Sequence, residues 1–225
     1  MTIVIGFRCV DGIVICADRQ ITAPGAFKYH EPKISTEDFE TFTAIFAYAG
    51  FPELAHEVHD KICAELHSIE PQDHIIETVR DVTAQILTSS LDRLFNSLDL
   101  QMLVGVNSCS EGTDLMKFGG KGVYVARDFE YLAYGDSSLV RFLGDKLYTK
   151  TFTVKQGMDM AIYLVKKAED YIDGCGGPID VYGLEPVDRS VKRFSQKYIQ
   201  ERLSKMEGQE KLLRSLLIEQ PFSST

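Results

Sequence analysis

The chain opens on an apolar run. Ile3, Val4, Ile5 and Phe7 pin the terminus inside a sheet, where most domains begin with a few loosely held polar residues. Residues 3–9 and 13–17 are β-rich and are joined across Val10-Asp11-Gly12, and Asp-Gly is a strong hairpin signal. The stretch ITAPGAFKYHEPKIS reads as a loop carrying Pro24-Gly25 and Pro32. A further strand, TFTAIFAYAG, alternates Phe42, Ala44, Phe46 and Tyr48 and ends at Gly50.

The period then changes from two to that of a helix. Over residues 52–69, Pro52 takes a first helical position, and Leu54, Val58, Ile62 and Leu66 repeat on one face. After Pro71 a second helix is predicted over about residues 73–96, with Ile75, Ile76, Val79, Val82, Ile86 and Leu94 as apolar members. Strands return over 99–108, 114–120 and 122–135, the last read as a hairpin turning near Arg127-Asp128. A short helix over 137–148 precedes a third long one over 153–174. Met158, Ala161, Ile162, Val165 and Ala168 face inward there, and Gly174 is a candidate left-handed cap. A strand over 178–186 and a polar amphipathic helix over 189–217 close the pattern. The order of elements predicts an α+β protein of stacked antiparallel sheets with helices on the outside. No repeat or linker interrupts it, so residues 1–225 read as one domain, with 189–225 a C-terminal helical extension.

Composition excludes several classes. A net charge of −9 argues against a nucleic-acid binder, which needs clustered Lys and Arg. No apolar stretch reaches a membrane span and no signal peptide precedes the first strand, so a cytoplasmic protein without membrane partners is expected. The five cysteines are Cys9, Cys16, Cys63, Cys109 and Cys175; their odd number and wide spacing give neither a disulfide framework nor a zinc site.

Thr2 sits directly behind Met1 at the head of a strand. Without Met1 it would carry a hydroxyl and a free α-amine on rigid backbone. A Thr hydroxyl becomes a nucleophile only when a base takes its proton, and its own amine can be that base. A nearby Lys ammonium would lower the amine's pKa by like-charge repulsion, and a carboxylate would hold that lysine. Asp18, at the end of the hairpin's second strand, and Lys33, after the loop, are the candidates. By spacing alone the plainer reading of Asp18 is a solvated strand end and of Lys33 an exposed loop lysine.

Beyond spacing, the opening TIVIGFRCVDGIVICADRQIT resembles the start of a mature proteasome β-type subunit. Gly6, Asp11-Gly12 and Ala17-Asp18 fall in register with Thr2 at the position of that family's nucleophile, and Lys33-Ile34 matches its catalytic lysine with one residue deleted from the loop. AYAGFPELAHEV resembles the segment whose glycine N–H serves as oxyanion donor, here Gly50. YGDSSLV and GCGGPIDVYGL resemble two further glycine-rich segments, so the likeness runs to about Pro186. It implies a four-layer αββα N-terminal-nucleophile (Ntn) hydrolase with Thr2, Asp18 and Lys33 catalytic and Gly50 in the oxyanion hole. A supporting group would comprise Arg19, Asp136, Ser137, Asp173 and Cys175. It implies neither metal nor organic cofactor, a peptide or unfolded-protein substrate, and a homo-oligomeric ring compatible with an ATPase partner.

The departures fall in that supporting group. Asp136 stands in the family's serine position, with Ser137 beside it. The family's aspartate aligns with Ile172, Asp173 comes one residue late, and Cys175 replaces a serine. Gln20 stands where an arginine is usual, with Arg19 adjacent. Such changes admit two alternatives: a catalytically inactive structural or scaffold subunit, and an amidase acting on a small molecule. Only Met1 precedes Thr2, and an aminopeptidase accepts a residue as small as Thr after Met, so a free Thr2 amine is expected.

Other motifs carry less. HEVHD places His56 and His59 three apart, whereas the zinc-protease motif needs a separation of four, so a solvated helix face is expected. FGGKG lacks the Ser or Thr that follows the lysine of a phosphate loop and reads as a turn. Cys175 between glycines reads as a steric substitute for serine rather than a reactive thiol. Lys192, Arg193, Lys197 and Arg202 read as a balanced helix surface.

Overall fold

A computed structural model of the chain describes residues 2–22, 27–69, 73–93, 100–119, 122–126, 128–134, 138–186 and 190–218. The opening hairpin forms as the pattern predicts. Strand β1 (Thr2–Cys9) pairs antiparallel with β2 (Gly12–Asp18), Cys9 opposite Gly12 and Val4 opposite Ala17. Gly12 has φ 146°, and a Cβ there would lie 2.0 Å from the Leu184 carbonyl oxygen.

The stretch read as a loop contains structure of its own. Two short strands, β3 (Gln20–Thr22) and β4 (Lys28–His30), form a separate ribbon, while Pro24 and Gly25 lie outside the described residues. Next, β5 (Ile34–Asp38) pairs with β6 (Phe42–Gly50). Helices α1 (Pro52–Ser68) and α2 (Ile75–Arg93) follow, with Pro52 in the first turn as expected. Strands β7 (Leu100–Ser108), β8 (Gly112–Gly119) and β9 (Gly122–Val125) extend the β5–β6 sheet in chain order.

The hairpin predicted around Arg127-Asp128 does not form. Strand β10 (Phe129–Tyr134) leaves β9 and pairs with β1, setting Thr2 opposite Tyr134. Between them the chain crosses from one sheet to the other: the N–H of the wholly buried Ala126 donates to Leu115 O (2.8 Å), and that of Arg8 to Asp128 O (2.8 Å). Alternating apolar positions mark a strand but not its partner.

Helices α3 (Ser138–Leu147) and α4 (Val154–Tyr171) come next, α4 opened by a capping box between Thr153 and Gln156. The cap at its end is Ile172, in extended conformation. Gly174, with φ 92°, turns the chain two residues later, so it is not the cap residue predicted. Strand β11 (Ile179–Leu184) lies against β2, and the short β12 (Val191–Arg193) pairs with it as an edge. Lys192 and Arg193 therefore lie on a strand and not on the helix predicted over 189–217, because that helix, α5 (Gln196–Ile218), begins only after β12.

Two five-stranded sheets result, in the orders β10-β1-β2-β11-β12 and β5-β6-β7-β8-β9. Both are covered on both faces, because successive side chains point to opposite sides of a strand. From β1 and β2, Ile3, Ile5, Phe7, Val14 and Cys16 meet Met158, Ala161, Ile162 and Val165 of α4. Their neighbours Val4, Ile13, Ile15 and Ala17 turn the other way, onto Ile45, Ala47, Leu103 and Leu115 of the second sheet. Met102, Val104 and Val106 of β7 pack on Leu54, Val58 and Ile62 of α1. Glycine sets the spacing between sheets: a Cβ on Gly6 would approach Leu103 to 2.6 Å, and one on Gly105 would approach Ile13 to 2.4 Å. The layers run helix, sheet, sheet, helix, the αββα sandwich expected. Among the described residues no helix is long and apolar enough to cross a membrane.

Candidate active site

The β1–β2 register brings the end of β2 back to the head of β1. Asp18 is wholly buried there, and its Oδ1 accepts from the N–H of the Thr2–Ile3 peptide bond at 3.0 Å. The same oxygen accepts from Lys33 Nζ at 2.8 Å. Its other oxygen accepts the N–H groups of Gln20 and Gly176, each at 3.2 Å. Lys33 Nζ makes a second bond, to the Gln20 carbonyl at 2.7 Å. A buried charge pair survives only when its remaining hydrogen-bonding capacity is met, and here backbone groups meet it.

Neither the solvated strand end nor the exposed loop lysine survives, since Lys33 is 1% exposed and Asp18 0%. Burial pushes the Lys33 ammonium below the usual lysine range, and Asp18 beside it partly restores it. Thr2 is buried too, at the first position of β1. A single carboxylate oxygen therefore links the Lys33 ammonium to the peptide bond that follows Thr2.

Gly50 closes β6 with φ 140°, immediately before the residue that caps α1. Two residues earlier the Tyr48 N–H donates to the Lys33 carbonyl at 3.2 Å, so β6 carries Gly50 to the same end of the sheet as Lys33. Between β5, β6 and α1 a cavity of about 260 Å³ reaches Lys33 and is bordered by Glu31, Phe46, Tyr48, His56 and His59.

The predicted supporting residues divide. Arg19 clamps Asp180 of β11 with two bonds of 2.7 Å. Asp173 is exposed in the turn after α4 and pairs with none of the described residues. Asp136 and Ser137 lie outside the described residues, as do Gly120 and Lys121 of the FGGKG stretch, so the turn predicted there falls outside them. Cys175 is buried, next in sequence to Gly176, which holds Asp18. Sequence reasoning missed the backbone groups of Ile3, Gln20 and Gly176 and the Arg19–Asp180 clamp. The glycines of GCGG were their one visible trace.

Burial, then the negative charge of Asp18, pushes the Cys175 thiol up to about 12. The thiolate is the reactive form, so Cys175 is inert near neutrality. Iodoacetamide at pH 8 is expected to modify the exposed Cys109 first. Cys175 labelling should lag and rise about tenfold per pH unit toward 12. Peptide mapping by mass spectrometry checks this, and equal labelling of both at pH 8 would contradict it.

The proteasome subunit family profile matches residues 2–182. No curated protein sequence matches the chain. Among solved structures it is similar to Anbu (ancestral beta-subunit) from Yersinia bercovieri, with 14% identity and a TM-score of 0.84 over 100% of both chains. It is similar to Anbu from Hyphomicrobium sp. strain MC1, with 16% identity and a TM-score of 0.80 over 99% of this chain and 100% of that one. A third, described as the helical assembly of the Anbu complex from Pseudomonas aeruginosa, gives 16% identity and a TM-score of 0.77 over 99% of each chain. At these identities the likeness is one of fold. The profile begins at Thr2 and spans both sheets as far as β11, and on that match the chain belongs to the proteasome subunit family.

Proposed function

We propose that the chain is a threonine-type hydrolase that cleaves peptide bonds, with Thr2 as nucleophile once Met1 is removed. The observation that carries this reading is the shared Asp18 oxygen, which joins a buried lysine to the Thr2–Ile3 peptide. The Thr2 Oγ attacks the substrate carbonyl while its proton passes to the Thr2 α-amine. The amine then protonates the leaving nitrogen, the acyl group stays on Oγ as an ester, and water hydrolyses that ester by the reverse path. Lys33 lowers the amine's pKa by like-charge repulsion, and Asp18 keeps Lys33 in place. The Gly50 N–H stabilises the oxyanion. The cavity beside Lys33 receives a side chain of a peptide or unfolded-protein substrate.

Self-association belongs to the same reading. The Pseudomonas aeruginosa relative is described as a helical assembly, and α5 exposes Leu212, Leu213, Leu216 and Ile218. The exposed Asp173, which pairs with none of the described residues, and the inert Cys175 favour a second reading, a structural subunit whose Thr2 stays capped.

The test compares protein beginning at Thr2 with protein retaining Met1 on a panel of fluorogenic peptides. Hydrolysis by the first form alone is expected. Equal rates, or no hydrolysis by either form, would overturn the reading.

A further inference from the structure

His59 was read in the sequence with His56, three residues away. In the structure the two part: His56 Nε2 faces Glu31 Oε1 at 3.1 Å, while His59 turns toward Cys63, one helical turn further along α1. Residues four apart share a helix face. His59 Nε2 lies 3.4 Å from Cys63 Sγ and 3.9 Å from Glu37 Oε1 on the facing strand β5.

We propose that Glu37, His59 and Cys63 form a zinc site. One nitrogen, one sulfur and one carboxylate oxygen from two packed elements form a donor set suited to a borderline-soft ion. All three ligand atoms lie within 4.8 Å of one another. Tetrahedral zinc with bonds of about 2.0–2.3 Å holds its donors roughly 3.3–3.8 Å apart, so side-chain rotation of about 1 Å completes the geometry. On the other side of the ring, the exposed Asp60 Oδ1 lies 3.6 Å from Nδ1, an ion-pair separation that adds negative charge beside the site. Phe46, edge-on with ring centres 5.1 Å apart, limits the ring's rotation.

The site has a way in and an open position. Glu37 is 35% exposed on its side chain and His59 17%, so an ion enters from the Glu37 side. Ser35 Oγ, 2.9 Å from the same Nε2, gives up that bond when the ion arrives and leaves room for a fourth ligand, a water or the hydroxyl itself. His59 also borders the cavity beside Lys33, so a bound ion becomes part of that cavity's wall. The proposal is independent of the hydrolase reading.

The test uses full-length protein stripped with chelator, titrated with Co²⁺ as a coloured probe and then with Zn²⁺. One equivalent of Co²⁺ is expected to give tetrahedral ligand-field bands and a near-ultraviolet thiolate-to-cobalt band, both abolished by one equivalent of Zn²⁺. The thiolate band should vanish in Cys63→Ser. Zinc affinity, measured by competition with a chelator, should fall at least about tenfold in Glu37→Gln and in His59→Gln. Glu37 is the ligand least engaged in packing, so its variant tests the site even if Cys63→Ser fails to fold. Circular dichroism identifies any variant that is misfolded. The absence of stoichiometric uptake would overturn the proposal. So would a thiolate band that persists in folded Cys63→Ser, or unchanged affinity in Glu37→Gln.

Discussion

Lys33→Ala is expected to abolish peptide turnover and to destabilise the fold by about 3–5 kcal/mol, because it strands a buried carboxylate without its counter-charge. Asp18 would keep the N–H bonds from Ile3, Gln20 and Gly176 but lose the ammonium at 2.8 Å. Urea denaturation measures the stability loss. Structure and chemistry separate in the double variant Lys33→Met, Asp18→Asn, which removes both charges at similar volume. Most of the stability should return while turnover stays absent. Turnover near the wild-type rate in folded Lys33→Ala would remove Lys33 from the mechanism. There is a pH signature as well. Burial lowers the Lys33 pKa in the folded state, so above that value the unfolded chain binds more protons and stability rises with pH. That contribution is complete above the ordinary lysine range and is lost as pH falls through the lowered value. Lys33→Met should flatten it.

Thr2→Ala carries the other large effect, and it falls on rate alone. Loss of a nucleophile costs on the order of 10⁴–10⁶ in turnover, since the groups that act with it do nothing useful without it. Thr2 is 4% exposed at the strand end, and the substitution removes only a hydroxyl and a methyl while leaving the backbone pairing of β1 with β10 in place. Stability should change by only about 1 kcal/mol. Thr2→Ser, which keeps a hydroxyl, should retain measurable turnover. Single-turnover kinetics with a fluorogenic peptide distinguish the three proteins, and undiminished turnover in Thr2→Ala would place the chemistry elsewhere.

The sandwich was legible in the sequence wherever one residue decides its own surroundings. Ile3, Val4 and Ile5 announce a strand covered on both faces, and Leu54, Val58 and Ile62 a helix with one apolar side. Partner choice was less legible: nothing in the alternation of residues 122–134 says that β9 stays with β8 while β10 crosses to β1. Strand β5 was lost because its exposed positions, such as Thr36 and Asp38, look like those of a loop until β6 is beside them.

The site divides in the same way. Thr2, Asp18 and Lys33 could be named from a resemblance, but what holds Asp18 could not. Ile3 and Gln20 contribute backbone N–H groups, which any residue except proline provides, and Gly176 comes from 158 positions away in the chain. Asp173 drew attention by lying one place from an aligned position. In the turn after α4 that one place takes it into solvent, while Cys175 and Gly176 are buried.

The most direct test is covalent labelling of the protein with an electrophile that reacts only with N-terminal threonine, read by intact mass and by mapping of the first peptide. Intact mass before treatment selects protein that has lost Met1. In that fraction, one adduct per chain on Thr2, absent in Lys33→Ala, is the expected result. A free Thr2 that stays unmodified in folded wild-type protein would contradict its role as the nucleophile.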